Sequence, residues 1–233
     1  MAKPNPHRTW DDYYIPGTDV LRNKFISAAN PYGEPDRKKF SQLEEQRARF
    51  RLMELKTNPL RGQFDYDHMK AIHRHIFQDI YEWAGQERTA PEGYMYKEGH
   101  AYYPAGPMPA AAAEREYAKI AASNYLRDMA RNEFVAEFAE RWGELNVVHS
   151  FREGNTRSQF VFFSQLSEQA GYHLDSEAFL IGNPLQEEFV QARFHSQDTG
   201  SNARLAAVLD KAIIEKPSTE EPVFDAGPSR GPA

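Results

Sequence analysis

The sequence predicts a mostly α-helical fold interrupted by a single β-hairpin. Two observations carry this. Apolar residues recur at helical spacing through most of the 233 residues. One stretch, 84–109, breaks that period with four glycines, four prolines and four tyrosines, the composition of a hairpin or a structured loop. No internal repeat is visible.

Taken in order, residues 1–15 read as an irregular arm. "GTDVLRNKF" (17–25) reads as a short helix with Thr18 or Asp19 as its N-cap, and "NPYGEP" (30–35) as a turn. From Asp36 to Lys56, Phe40, Leu43, Ala48, Leu52 and Leu55 fall on one helical face until Asn58-Pro59 ends the run. A second helix starts at Asp65 or Asp67 and runs to Trp83, with Met69, Ile72, Ile76 and Ile80 aligned. Beyond the turn-rich stretch, helices are expected over 109–130, 132–148, 155–171, 184–197 and 201–215. The tail 217–233 is polar and rich in Pro and Gly, the composition of a disordered segment.

Composition narrows the function. Hydrophobic residues make up 40% and aromatics 13%, enough for a substantial core. The net charge of −6 gives phosphate-backbone affinity no help, so no nucleic-acid partner is expected. The absence of cysteine removes disulfides, thiolate zinc sites and thiol nucleophiles, and fits a reducing cytosol. The first residues are polar with no apolar leader, and no run approaches the length of a membrane span. The expectation is a cytoplasmic protein, with delivery into a host cell left open.

One polar island stands between two core-like segments, "NVVHSFREGNTRSQFVFF" (146–163). Phe134, Phe138, Trp142 and Leu145 form a stripe that continues onto His149. The following segment, with Phe160, Val161, Phe162, Phe163 and Leu166, is apolar all round and belongs in the middle of a bundle. The residues alone leave two readings open. Thr156-x-x-Gln159 can be a capping box, Gly154 a turn, and His149 a helix cap. Alternatively, His149 is a base near neutral pH, Glu153 a carboxylate for a hard cation, and Gly154-Asn155-Thr156-Arg157 a helix N-terminus that binds phosphate. Those are the parts for phosphoryl or nucleotidyl transfer.

"HSFREGNTR" resembles the signature of the Fic (filamentation induced by cAMP) family, H-P-F-x-(D/E)-G-N-G-R-x-x-R. His149, Phe151, Glu153, Gly154, Asn155 and Arg157 fall in register. "YYIPGTDVLRNKF" and "FDYDHMKAIHRHIFQDIYEWAGQERT" also resemble segments of that family, so the likeness spans roughly residues 13–200. The resemblance implies a Fic-type helical bundle over 16–216, with a flap hairpin at about 86–104 and a catalytic loop at 149–157. It implies Mg²⁺-dependent transfer of AMP from ATP to a Tyr, Ser or Thr hydroxyl of a target protein, in a bacterial toxin or modifier. His149 would be the general base, Glu153 the Mg²⁺ ligand, and Gly154, Asn155, Thr156 and Arg157 the phosphate site. Phe151 would anchor the loop. Lys97, His100 and Tyr102 on the flap would touch target or nucleotide, against the plainer reading of ordinary hairpin packing.

Three positions depart from the pattern. Ser150 stands for the proline, Thr156 for the second glycine, and Phe160 for the final arginine, which in the family reaches the terminal phosphates. The last two departures are shared with the related death-on-curing kinase, so a phosphotransferase or a transferase of another nucleotide is the alternative. A catalytically weak target-binding module is the third. The family's inhibitory (S/T)-x-x-x-E-(G/N) motif has no full match. Ser41-x-x-x-Glu45 is followed by Gln46 and lies in the first core helix, which leaves a separate small antitoxin as a possible partner.

Overall fold

The computed structural model of the chain describes residues 7, 9–90 and 92–216. The expected disorder of 217–233 lies outside them, as do the first six residues of the arm. Seven α-helices are described: α1 (Arg37–Thr57), α2 (Tyr66–Phe77), α3 (Pro107–Ala122), α4 (Arg131–Val148), α5 (Asn155–Gln169), α6 (Pro184–Thr199) and α7 (Ala203–Asp210). The sequence writes the starts of several of them. The Asp36 carboxylate accepts the Lys39 N–H at α1, Asp65 accepts that of His68 at α2, and Asn183 accepts that of Leu185 at α6.

The expected hairpin is present as β1 (Met95–Lys97) and β2 (His100–Tyr102). Its two-residue turn, Glu98-Gly99, has φ of 55° and 87°, the double left-handed pattern that matches the twist of the flanking strands. A second strand pair was not foreseen. β3 (Tyr172–Leu174) pairs antiparallel with β4 (Ile213–Glu215), so the helix expected over 201–215 stops at Asp210. The β-branched Ile213-Ile214 run favours the strand once β3 offers an edge.

The segment 17–25 is not a helix. Pro16-Gly17 makes a tight turn, with Gly17 at φ 77° and Thr18 N–H donating to the Ile15 carbonyl at 3.0 Å. The chain then doubles back, and Tyr14 bridges Leu21. α2 and α3 are also shorter than their periodicity suggests. α2 closes at Phe77, and α3 passes at Ala122 into a short turn where Asn124, Tyr125 and Leu126 all take positive φ.

α5 lies at the centre, against α2, α4 and β3. Phe162, Phe163 and Leu166 are buried on it, with Phe160 and Val161 partly so. Trp142 of α4 stacks on Phe163 with centroids 4.5 Å apart and planes 6° off parallel, and its Nε1–H donates to Gln159 Oε1 at 3.2 Å. Gln159 in turn donates to the Leu145 carbonyl at 3.2 Å, so α4 and α5 are locked just below the loop that joins them. Trp142→Ala is expected to cost about 3–5 kcal/mol, read as a lowered urea midpoint. Phe50→Ala, on the exposed face of α1, should change stability by less than about 0.5 kcal/mol.

Candidate active site

α4 ends at His149, whose backbone is left-handed at φ 48°, ψ 57°. A non-glycine residue there costs roughly 1–3 kcal/mol, so something must hold it. Arg88 does. Its Nε donates to the His149 carbonyl at 2.7 Å, its Nη1 to that of Ala90 at 3.3 Å, and its Nη2 to those of Tyr103 and Val148. The Arg88 N–H donates to the Ser150 carbonyl at 2.9 Å. The acceptors are the negative end of α4 and both legs of the flap. Burial lowers the Arg88 pKa to about 10, which still leaves it charged at neutral pH.

The loop after His149 is closed on itself. The Asn155 side chain accepts the Phe151 N–H at 2.9 Å and donates to the Phe151 carbonyl at 2.7 Å. Phe151 is buried and stacks on the His73 ring of α2, with centroids 3.9 Å apart. Gly85 N–H donates to His73 Nδ1 at 2.8 Å, so the proton sits on Nε2, which donates to the Glu153 carbonyl at 2.9 Å. Burial pulls the His73 pKa down to about 3. Gly154 then caps α5 at φ 82°, and a Cβ there would lie 2.2 Å from Phe77 Cε2, so only glycine fits.

Beyond it the N–H groups of Asn155, Thr156 and Arg157 open the first turn of α5 without intrahelical partners, at the positive end of the helix. The capping box is not formed: no side chain caps the helix, and Gln159 is engaged with α4. Thr156 Oγ1 instead accepts from Arg193 Nη1 of α6 at 3.2 Å. Glu153 Oε1 accepts the Gly154 N–H at 3.0 Å, and its partly exposed carboxylate borders a cavity of about 620 Å³ that Glu44 and Tyr81 also line. Arg157 lies over the Phe77 ring, donates to Glu44 Oε1 at 2.6 Å and stands 3.9 Å from Glu153 Oε1.

The His149 ring is buried beside Tyr102, centroids 4.3 Å apart, and its Nδ1 makes no hydrogen bond among the described residues. Its pKa is lowered well below the ordinary histidine value, first by burial and then by the charges of Arg88, Arg193 and Lys97. A neutral imidazole in this position can accept a proton. Of the flap residues, Tyr102 is a buried wall against the His149 ring. His100 stacks on Phe194 at 3.8 Å and meets Asp198 Oδ1 at 2.8 Å, which fastens β2 to α6. Lys97 is exposed at the tip of β1. Gln197 donates to the Ala101 carbonyl, so β2 is covered and the outer edge of β1 stays open.

His149, Glu153, Gly154, Thr156 and Arg157 therefore converge on one end of α5, and Asn155 contributes its main-chain N–H while its side chain braces the loop. Four residues that shape the site had no place in the sequence reading: Glu44, His73, Arg88 and Arg193. His73 alone carried a signal, a histidine set among Met69, Ile72 and Ile76 on the apolar face.

Residues 63–167 match the Fic/DOC family. A probable protein adenylyltransferase of Sinorhizobium fredii is 39% identical over 208 residues, covering 87% of this chain and 96% of its own. The chain belongs to the Fic/DOC family. The Fic protein of Salmonella typhimurium, also called a probable protein adenylyltransferase, is 31% identical over 90% of this chain and 96% of its own. The fold is shared with the crystal structure of the BepC protein of Bartonella tribocorum with AMPPNP bound, at a TM-score of 0.78 and 22% identity, over 91% of this chain and 100% of that one.

Two outcomes follow. An unfolded histidine takes up a proton near pH 6.5, whereas folded His73 does so only near pH 3. The unfolded state therefore binds more protons between those values, and stability falls as pH drops through that window by about 1.4 kcal/mol per pH unit for this group. Urea midpoints at pH 7 and pH 5 should show that fall, and His73→Gln, less stable at pH 7, should show a shallower one. Gly154→Ala, forced against Phe77 in a left-handed conformation, is expected to lose about 2 kcal/mol or more together with any nucleotide binding, checked by denaturation and calorimetry.

Proposed function

We propose that this site transfers AMP from ATP to a hydroxyl side chain, Tyr, Ser or Thr, of a target protein, with Mg²⁺. The observation that carries the reading is the buried neutral His149 held beside the open first turn of α5. The adenylyltransferase names of its relatives support the same chemistry. In the reaction the target hydroxyl gives its proton to His149 and its oxygen bonds to the α-phosphorus. The bond from that phosphorus to the bridging oxygen breaks, and pyrophosphate leaves. The first-turn N–H groups of α5 and Arg157 oppose the charge on the phosphate oxygens.

Glu153 is the carboxylate suited to Mg²⁺. Mg²⁺ is commonly bound by one or two carboxylates together with phosphates and water, and Glu153 lines the same cavity as Glu44. That ion would neutralise phosphate charge. The target is held through the open edge of β1, where pairing in register leaves the main-chain N–H and C=O of Tyr96 directed away from β2. Such pairing reads extended backbone more than side chains.

A second reading, phosphoryl transfer by a reversed nucleotide, is favoured by Thr156 and Phe160 and by the engagement of Arg157 with Glu44. Lysates supplied with Mg²⁺ and ATP labelled at the α- or the γ-phosphate separate the two. The expected result is α-label on protein, reduced about 100-fold or more by His149→Ala. Label from the γ-position alone would replace adenylyl transfer by phosphotransfer. Absence of label with every nucleoside triphosphate would leave a target-binding module.

A further inference from the structure

Arg193 lies on α6, where nothing in the sequence pattern marks it. Its Nε donates to Asn146 Oδ1 at 3.1 Å, its Nη2 to the same oxygen, and its Nη1 to Thr156 Oγ1 at 3.2 Å. The guanidinium thus spans the site, from the turn of α4 before His149 to the first turn of α5. Each of Nη1 and Nη2 keeps a further N–H without an acceptor among the described residues.

Its electrostatic position differs from those of Arg157 and Arg88. Arg157 is engaged by Glu44 and Glu153, and Arg88 spends its donors on main-chain carbonyls. No carboxylate forms an ion pair with Arg193 among the described residues; its two side-chain acceptors are a neutral amide oxygen and a hydroxyl. Burial lowers its pKa, with only Tyr102 and Glu98 acting the other way. A partly desolvated cation with neutral partners, beside a helix N-terminus, has an unmet demand for an anion.

Position 160 supplies no such charge. Phe160 packs against Trp142, Phe179 and Phe189, with centroids 5.0–5.3 Å away. Arg193 lies over the same Phe189 ring, 5.4 Å from its centroid, so its guanidinium is one ring removed from position 160. We propose that Arg193 grips the phosphate chain of the nucleotide, providing from α6 the second guanidinium that Phe160 does not provide from α5. The proposal rests on the adenylyl-transfer reading in that it takes ATP as the ligand.

The test is calorimetric titration of the full chain with Mg²⁺-ATP and, separately, with adenosine. Arg193→Gln keeps a donor for Asn146 and removes the charge; Arg193→Lys keeps the charge without the fork. The expected result is a roughly 10- to 100-fold loss of ATP affinity in the Gln variant, part of it recovered by Lys, with adenosine affinity unchanged in both. Equal losses for ATP and adenosine would make Arg193 a brace and overturn the proposal, as would undiminished ATP affinity in the Gln variant. Should the unmodified protein bind ATP no better than adenosine, this proposal and the adenylyl-transfer reading would fall together. An unmodified protein that prefers ATP over adenosine, with variants that keep the same preference, would overturn Arg193 alone.

Discussion

The guanidinium of Arg88 is the constraint on which the site depends. It lies where α4 ends, where the flap begins and where the flap returns, and it joins all three through main-chain carbonyls. No carboxylate compensates it among the groups acting on it. What makes a buried cation tolerable is the concentration of carbonyl dipoles at the C-terminus of α4, whose last groups have no intrahelical donors. An arginine is the side chain for this task because its planar fork reaches several acceptors at once; a lysine ammonium on a flexible stem has neither the reach nor the geometry.

From that anchor the rest of the site follows in layers. With its carbonyl fixed, His149 is kept left-handed and the chain turns sharply out of α4. Phe151 then falls onto His73, and Asn155 closes the loop by exchanging both its amide groups with the Phe151 backbone. The two histidines have different work. His73 is committed at both nitrogens and supports the Glu153 carbonyl, whereas His149 has its Nδ1 unengaged. A side chain whose hydrogen bonds are complete is a strut; one left incomplete keeps a nitrogen uncommitted to the fold.

Much of this was legible in the sequence and the remainder was not, for physical reasons. The ends of α1 were readable to within a residue because Asp36 and Asn58-Pro59 are local signals. The hairpin announced itself through Gly and Tyr, and His149, Glu153 and the 154–157 turn through contiguous spacing. Residues 17–25 misled because Pro16-Gly17 turn chemistry outweighs a nine-residue helical pattern that could not nucleate alone. The β3–β4 pair was invisible because each strand has only three residues and the partner lies some forty positions away. Arg193, Arg88 and Glu44 reach the site across 37, 61 and 113 positions, and no local pattern distinguishes an arginine facing a loop carbonyl from one facing water. The side chain of Asn155 illustrates a finer limit: its place in the turn was readable, its use as a brace was not.

The charges around His149 give the site a dependence on its own ligand. Burial makes the largest contribution to the lowered proton affinity of the imidazole, and Arg88, Arg193 and Lys97 add to it. Burial, with those cations adding to it, keeps the ring neutral, and in the proposed reaction the same cations would present a positive field to an incoming polyanion. A triphosphate seated at the start of α5, as proposed, would offset that field, because its charge would lie beside the same groups. In the proposed reaction the burial contribution would remain, while the repulsion between the cations and a proton on His149 would be reduced and the imidazole would become a stronger base.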